Sequence, residues 1–344
     1  MHPSSIAQKE SQFASTLKIA AGTVYKDCGT TPISDGFSIR SIRPSDQSYY
    51  YQTETPKKSI CLHFTVGYIM SDLAALTKAG DHVSVSYVVD RGGRIYELFP
   101  DQFWSYHLGS SALGGNSVMS KQSIGIEISN YGPLTLKDGK LIDAYGNSYC
   151  AQNETDLYEA YDYRGYKYYA TMTQEQMGAV AALVKYLSAK HSIPLNFVAN
   201  DEPFKSADAA TNYAGVFFHS NVRKDKYDWP LAKSMSRVVA LCKGAAIKEP
   251  SAVPEPPKPS VVDVAKAEAK TVKMEAIPVN EPEPAKPEPV KPEPAPVKAE
   301  PVQAKPTQMQ STVKAAASVS SSSSKSGGMF SNILKSIMKL FHLG

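Results

Sequence analysis

Alternation of apolar and polar positions first becomes sharp after Lys57. In SICLHFT, Cys61, His63 and Thr65 fall on one side of an extended chain and Ile60 and Leu62 on the other, which predicts a strand. The period then changes. YIMSDLAALTKAG sets Ile69, Leu73 and Leu76 at helical spacing and stops at Gly80. VSVSYVVD and RIYELFP are β-rich runs joined through Arg91-Gly92-Gly93, and the paired glycines suit a tight hairpin. SIGIEISN alternates again, with Ile124, Ile126 and Ile128 on one side and Gly125, Glu127 and Ser129 on the other, so Glu127 leaves the apolar layer. A long tyrosine-rich insertion over residues 131–170 carries turn signals and is of the kind that lines functional clefts. Thr173 and Gln176 form a capping box for a helix that carries Met177, Val180, Val184 and Leu187 and closes before Pro194.

Strands and helices alternating in this way predict one α/β domain over residues 56–245, a single mixed β-sheet flanked by helices. Residues 1–55 are polar, tyrosine-bearing and weakly periodic, and read as an N-terminal extension wrapped on that domain. Most of the chain's 24 prolines fall between Pro250 and Pro306, among Glu, Lys, Ala and Val, with no glycine or aromatic residue. Such a stretch cannot bury a core, so residues 246–328 are expected to be a disordered linker, extended where proline dominates and flexible through its serines. In residues 329–344, Phe330, Ile333, Leu334, Ile337, Met338 and Phe341 line one helical face opposite Lys335 and Lys339. This amphipathic helix is too short to span a bilayer; it suits lying in a membrane surface or docking on a protein, and the pattern does not choose.

Composition narrows the function classes. A net charge of +4 over 344 residues, with no arginine-rich stripe, argues against nucleic acid as a partner. The four cysteines stand far apart, without a Cys-x-x-Cys pair, and fit a reducing compartment. MHPSSIAQKESQFAST lacks the features of a signal peptide, and no run of 18 apolar residues occurs, so cytoplasmic synthesis is expected. Three residues stand out as metal ligands: His63 in LHFTVG, His219 in FFHSNV and Asp228 in KYDWP. Two imidazoles and a carboxylate suffice for a catalytic zinc with a fourth position left for water. Each alone is weak, because a histidine in a strand is usually structural. Glu127 read alone is a polar residue on the solvent side of a strand, and Lys226 a solvated lysine.

Five blocks in order change that balance. LHFTVG, VSVSYVVDRGGRIYELFP, WSYHLG, SIGIEISNYG and FFHSNVRKDKYDWP, spanning Ser59 to Pro230, resemble the zinc amidase family that includes phage endolysin amidases, bacterial wall-recycling amidases and animal peptidoglycan-recognition proteins. The resemblance implies that His63, His219 and Asp228 hold Zn2+, that Glu127 serves as general base and then general acid, and that Lys226 faces the oxyanion. It also implies peptidoglycan as the partner, cleaved between N-acetylmuramic acid and L-alanine, with action at the bacterial cell wall as a phage lysin. Thr65, Trp104 and His107 become candidate substrate contacts, His107 with a supporting role behind the ligands as the alternative. Trp104, Tyr106 and the tyrosines of YEAYDYRGYKYYA suit stacking on sugar rings and equally suit capping the sheet. The departures are few. Val85 stands where some members carry a catalytic tyrosine, and Asp228-Trp229-Pro230 replaces an Asp-Pro-Gly turn. A non-catalytic peptidoglycan-binding module and a structural anchor are the competing readings, and oligomeric state is not legible.

Overall fold

The computed structural model describes residues 1–198, 202–228 and 232–245. The expected linker and C-terminal amphipathic helix lie outside the described residues, as do Trp229 and Pro230.

The chain begins with α1 (Pro3–Thr16), followed by β1 (Lys26–Pro32), β2 (Ser38–Arg43) and β3 (Ser59–Phe64). Next come α2 (Ile69–Leu76), β4 (Tyr87–Val89), β5 (Ile95–Glu97), α3 (Asn116–Gln122) and β6 (Ser123–Ile128). Five short strands follow: β7 (Pro133–Lys137), β8 (Lys140–Ile142), β9 (Ser148–Ala151), β10 (Tyr158–Tyr163) and β11 (Tyr166–Ala170). The domain closes with α4 (Gln174–His191), α5 (Ala207–Asn212), β12 (Gly215–Phe218) and α6 (Lys233–Cys242).

The main sheet has seven strands in the order β1-β2-β5-β4-β6-β3-β12, and its centre, β4-β6-β3-β12, is parallel throughout. Parallel strands are buried on both faces, and this sheet obeys that rule. On one face Ile60, Leu62, Ile124, Ile126, Ile128, Val216 and Phe218 pack against Val180, Leu183, Val184 and Leu187 of α4 and Val238 of α6. Each of those α4 side chains contributes about 1.5–3 kcal/mol through burial. The helix starts where expected: the Thr173 side chain accepts a hydrogen bond from the Gln176 N–H at 3.0 Å.

The opposite face is covered too, which explains why a strand residue outside the apolar layer need not meet water. α1 and α2 lie over one part of it, with Phe13, Leu73 and Leu76 against Val88 and Tyr96. Another part packs Cys61 and Phe217 against Leu108, Met119 and Ala210. Glu127 sits between these covers and is only 2% exposed, so the solvent-side reading of that position is set aside.

Two regions differ from the sequence-based expectation. The N-terminal 55 residues supply a helix and the two strands at one edge of the main sheet, with β2 paired parallel to β5. Glu10 of α1 is fully buried and accepts a hydrogen bond from the Arg91 N–H at 3.0 Å. The tyrosine-rich insertion forms a second sheet of five strands, β10-β11-β7-β8-β9, rather than a loop. Its inner tyrosines, Tyr163 and Tyr169, pack into the core beside α4. Polar and aromatic residues in short strands carry no clean period of two, which hides both regions from pattern reading.

Candidate active site

The carboxyl ends of the parallel strands are where open α/β sheets assemble sites, because side chains there leave the ladder and converge above it. His63 and Glu127 are direct Cα partners across β3 and β6. β12 pairs with β3 on its other side, and His219 follows immediately as the chain turns out of the sheet through His219–Asn221. Lys226 and Asp228 come from the irregular chain beyond. His63, Phe64, Thr65, Glu127, His219, Lys226, Tyr227 and Asp228 together line one small opening.

The predicted ligands meet. One donor atom each from His63, His219 and Asp228 lies within 4.8 Å of the others. The two imidazole Nδ1 atoms are 2.9 Å apart, and His219 Nδ1 is 3.9 Å from Asp228 Oδ1. The other carboxylate oxygen, Oδ2, accepts the Phe64 N–H at 3.1 Å, which turns Oδ1 toward the histidines.

Hydrogen bonding assigns the tautomers. His219 Nε2 lies 2.9 Å from the Leu108 carbonyl, which only accepts, so Nε2 carries the proton and Nδ1 a lone pair. Ser123 Oγ gives its single proton to the Met119 carbonyl at 2.6 Å and therefore accepts from His107 Nε2 at 3.0 Å. His107 Nδ1 must then accept from His63 Nε2, also at 3.0 Å, which leaves a lone pair on His63 Nδ1. Two lone pairs and a carboxylate oxygen thus face one another with no proton among them. That arrangement repels itself unless a cation stands between, so the residues fit a zinc ion and fix the ligand tautomers as metal sites commonly do.

Electrostatics points the same way. Burial depresses the His63 imidazole well below the ordinary histidine range, with His219, His107 and Lys226 adding to it. His219 is depressed by burial and then by Lys226. Both rings are neutral at pH 7, the form that ligates. Burial lifts the Asp228 carboxyl to about 6 against the opposing pull of Lys226 and the Phe64 N–H. Glu127 is raised well above the usual carboxylate range by burial and then by Asp228 and Asp72, with Lys226 opposing. Its Oε2 is buried with no hydrogen-bond partner among the described residues, while the side chain lines the opening. Burial lowers the Lys226 ammonium, Arg223 adds to that, and Asp228 holds it up.

Of the three expected substrate contacts, Thr65 lines the opening and the other two do not. His107 stands behind His63, 4% exposed, with both ring nitrogens committed. Trp104 is stacked on Tyr51 at 4.3 Å, under the Lys121 ammonium at 4.8 Å from its ring centre. Gly125 makes the place for His107: a Cβ there would meet His107 Cγ at 3.2 Å and Val85 Cγ1 at 2.8 Å. Sequence reading missed Ser123, whose role shows only once α3 brings Met119 and His107 to the same hydroxyl. A second cluster of metal-ligating side chains, Cys61 with His63 and His107, shares His63 but lies on its Nε2 side, where the ring proton resides.

Two buried histidines and one carboxylate, with a glutamate and a lysine beside them at the carboxyl ends of parallel strands, form a candidate metal site of the composition that hydrolytic zinc centres use. Residues 53–243 match the family model described as N-acetylmuramoyl-L-alanine amidase, more than half of the chain, and the chain belongs to that family. Among solved structures, AmiD from E. coli, in complex with the substrate anhydro-N-acetylmuramic acid-L-Ala-D-gamma-Glu-L-Lys, is 25% identical over 48% of this chain, with a TM-score of 0.28. The match spans 54% of the AmiD chain. LysC from Clostridium intestinale URNW is 15% identical over 60% of this chain and 97% of its own, with a TM-score of 0.33. Staphylococcus aureus AmiA, in complex with its ligand, is 14% identical over 58% and 80%, with a TM-score of 0.33. No curated protein matches the chain.

Proposed function

We propose that this chain hydrolyses the amide bond between N-acetylmuramic acid and L-alanine in peptidoglycan, with zinc held by His63, His219 and Asp228. The observation that carries the reading is the convergence of two imidazole lone pairs and one carboxylate oxygen beside an unpartnered, buried Glu127 Oε2. When bound, the ion supplies a Lewis acid for the scissile carbonyl and lowers the pKa of water toward 7.

The protein residues do the rest. Glu127 takes a proton from the attacking water through Oε2 and returns it to the departing amine. Lys226, buried at the same opening, places positive charge where the carbonyl oxygen becomes an oxyanion. His107 and Ser123 hold His63 in the tautomer that directs Nδ1 into the centre. Thr65 and Tyr227 border the opening and contact the substrate near the reacting bond.

Family membership supports peptidoglycan as the polymer, and a lysin of phage type is the narrower form of the proposal. The test is zinc content of the purified full chain together with release of free amino termini from purified peptidoglycan, with and without a chelator. Stoichiometric zinc, chelator-sensitive release and fragments ending in free L-alanine are the expected results. Wall binding without amine release would replace the enzyme by a recognition module.

A further inference from the structure

The segment that carries Lys226 and Asp228 has little regular structure of its own. After the turn His219–Asn221 the chain enters no helix or strand before Asp228, and the Lys226 N–H reaches the Arg223 carbonyl only at 3.5 Å. A carboxylate that must point at two histidines needs its backbone held by something else.

The second sheet supplies it. β10 and β11 are joined by a two-residue turn in which Tyr163 pairs with Tyr166 and both central residues have positive φ, 48° at Arg164 and 87° at Gly165. That geometry favours asparagine or glycine at the first position, yet an arginine stands there. Its half-buried guanidinium reaches four carbonyl oxygens of the ligand segment: Nη1 shares its two protons among Arg223 at 3.1 Å, Lys224 at 2.8 Å and Lys226, and Nη2 donates to Ser220 at 3.5 Å. A second contact closes beside it, with the Tyr166 ring edge-on to Tyr227 at 5.3 Å, one residue from Asp228.

We infer that Arg164 is a positioning residue for the candidate metal centre. By gathering these carbonyls around one planar cation, it sets the path of residues 220–226 and so the placement of Lys226 and Asp228 against His63 and His219. The planar guanidinium holds its N–H directions fixed, whereas a lysine would meet the same carbonyls as a rotating point charge. The tyrosine-rich sheet thereby acquires a role in the site without lending it a ligand. This rests on the reading of His63, His219 and Asp228 as a zinc site.

The test uses the full chain carrying Arg164→Asn, which suits a positive-φ turn and removes the guanidinium. Zinc affinity is measured by competition with a chromogenic chelator, ligand geometry by the visible spectrum of the cobalt-substituted protein, and folding by near-ultraviolet circular dichroism. The expected result is a wild-type tyrosine spectrum with zinc bound roughly 10- to 100-fold more weakly and a shifted cobalt absorption. Arg164→Lys should fall between Asn and wild type, and it decides the matter by the same readouts if the Asn variant does not fold. A folded variant with wild-type zinc affinity and an unchanged cobalt spectrum overturns the role of Arg164 alone. Wild-type protein that binds neither zinc nor cobalt overturns the metal centre itself, and the positioning role with it.

Discussion

The two halves of the candidate site are held by different physics. His63 and Glu127 stand on neighbouring parallel strands in direct register, each buried between two packed faces. Lys226 and Asp228 stand on chain without a ladder, placed by the Phe64 N–H and by carbonyls gathered at Arg164. The strand half inherits its geometry from the fold. The loop half must be positioned contact by contact, and it contributes the groups with the most finely balanced charge: a lysine lowered by burial yet held up by Asp228, and an aspartate raised to about 6.

The largest expected effect treats both halves alike. His63→Ala and Asp228→Ala should each lose stoichiometric zinc and all measurable amine release, read by elemental analysis and an end-group assay. An Asp228→Ala protein that keeps its zinc would show that the loop half is dispensable. Glu127→Gln separates binding from chemistry: zinc content should stay at the wild-type level while turnover falls roughly 10²- to 10⁴-fold. Lys226→Ala should cost about 10²- to 10³-fold in kcat, again with zinc retained. Ser123→Ala removes the acceptor that fixes the His107 and His63 tautomers, and should weaken zinc roughly 10-fold without unfolding the domain, measured by chelator competition.

The smallest effect lies away from the site and concerns stability. Burial, then Asp90, pushes the Glu10 carboxyl up to about 8 in the folded protein, from an ordinary value of 4.5. The native state therefore holds a proton that the unfolded chain releases, and stability should decline as pH rises from the ordinary carboxylate range toward 8. Glu10→Gln should remove that slope and exceed wild-type stability by about 1 kcal/mol or more at pH 8. Urea unfolding at pH 5 and pH 8 checks it. An equal pH dependence in both proteins would refute the assignment of that slope to Glu10.

Hydrogen exchange sharpens the contrast directly. Amides of β3 and β6 should exchange more slowly than those of residues 222–228, since ladder bonds between buried strands open only with the domain. Equal protection would mean that the contacts made by Arg164 and Phe64 restrain the loop as firmly as a sheet does.

Much of this was readable from residue order. Periods of two around His63 and Glu127 placed those residues on strands, and a helical period behind the Thr173 cap placed the helix, because alternation and capping are properties of a few adjacent residues. Residue order did not reveal that Glu127 is buried, since a polar residue outside one apolar layer meets either solvent or a second cover, and which one depends on α1, α2 and the segments near Leu108. Nor did it reveal the second sheet, the strands added by the first 55 residues or the withdrawal of Trp104 and His107 from the opening. The tautomers of the two histidines, and the reach of Arg164 across 62 positions to the Lys226 carbonyl, are long-range arrangements. They exist only once packing has brought distant segments within hydrogen-bond distance, and no local pattern encodes that meeting.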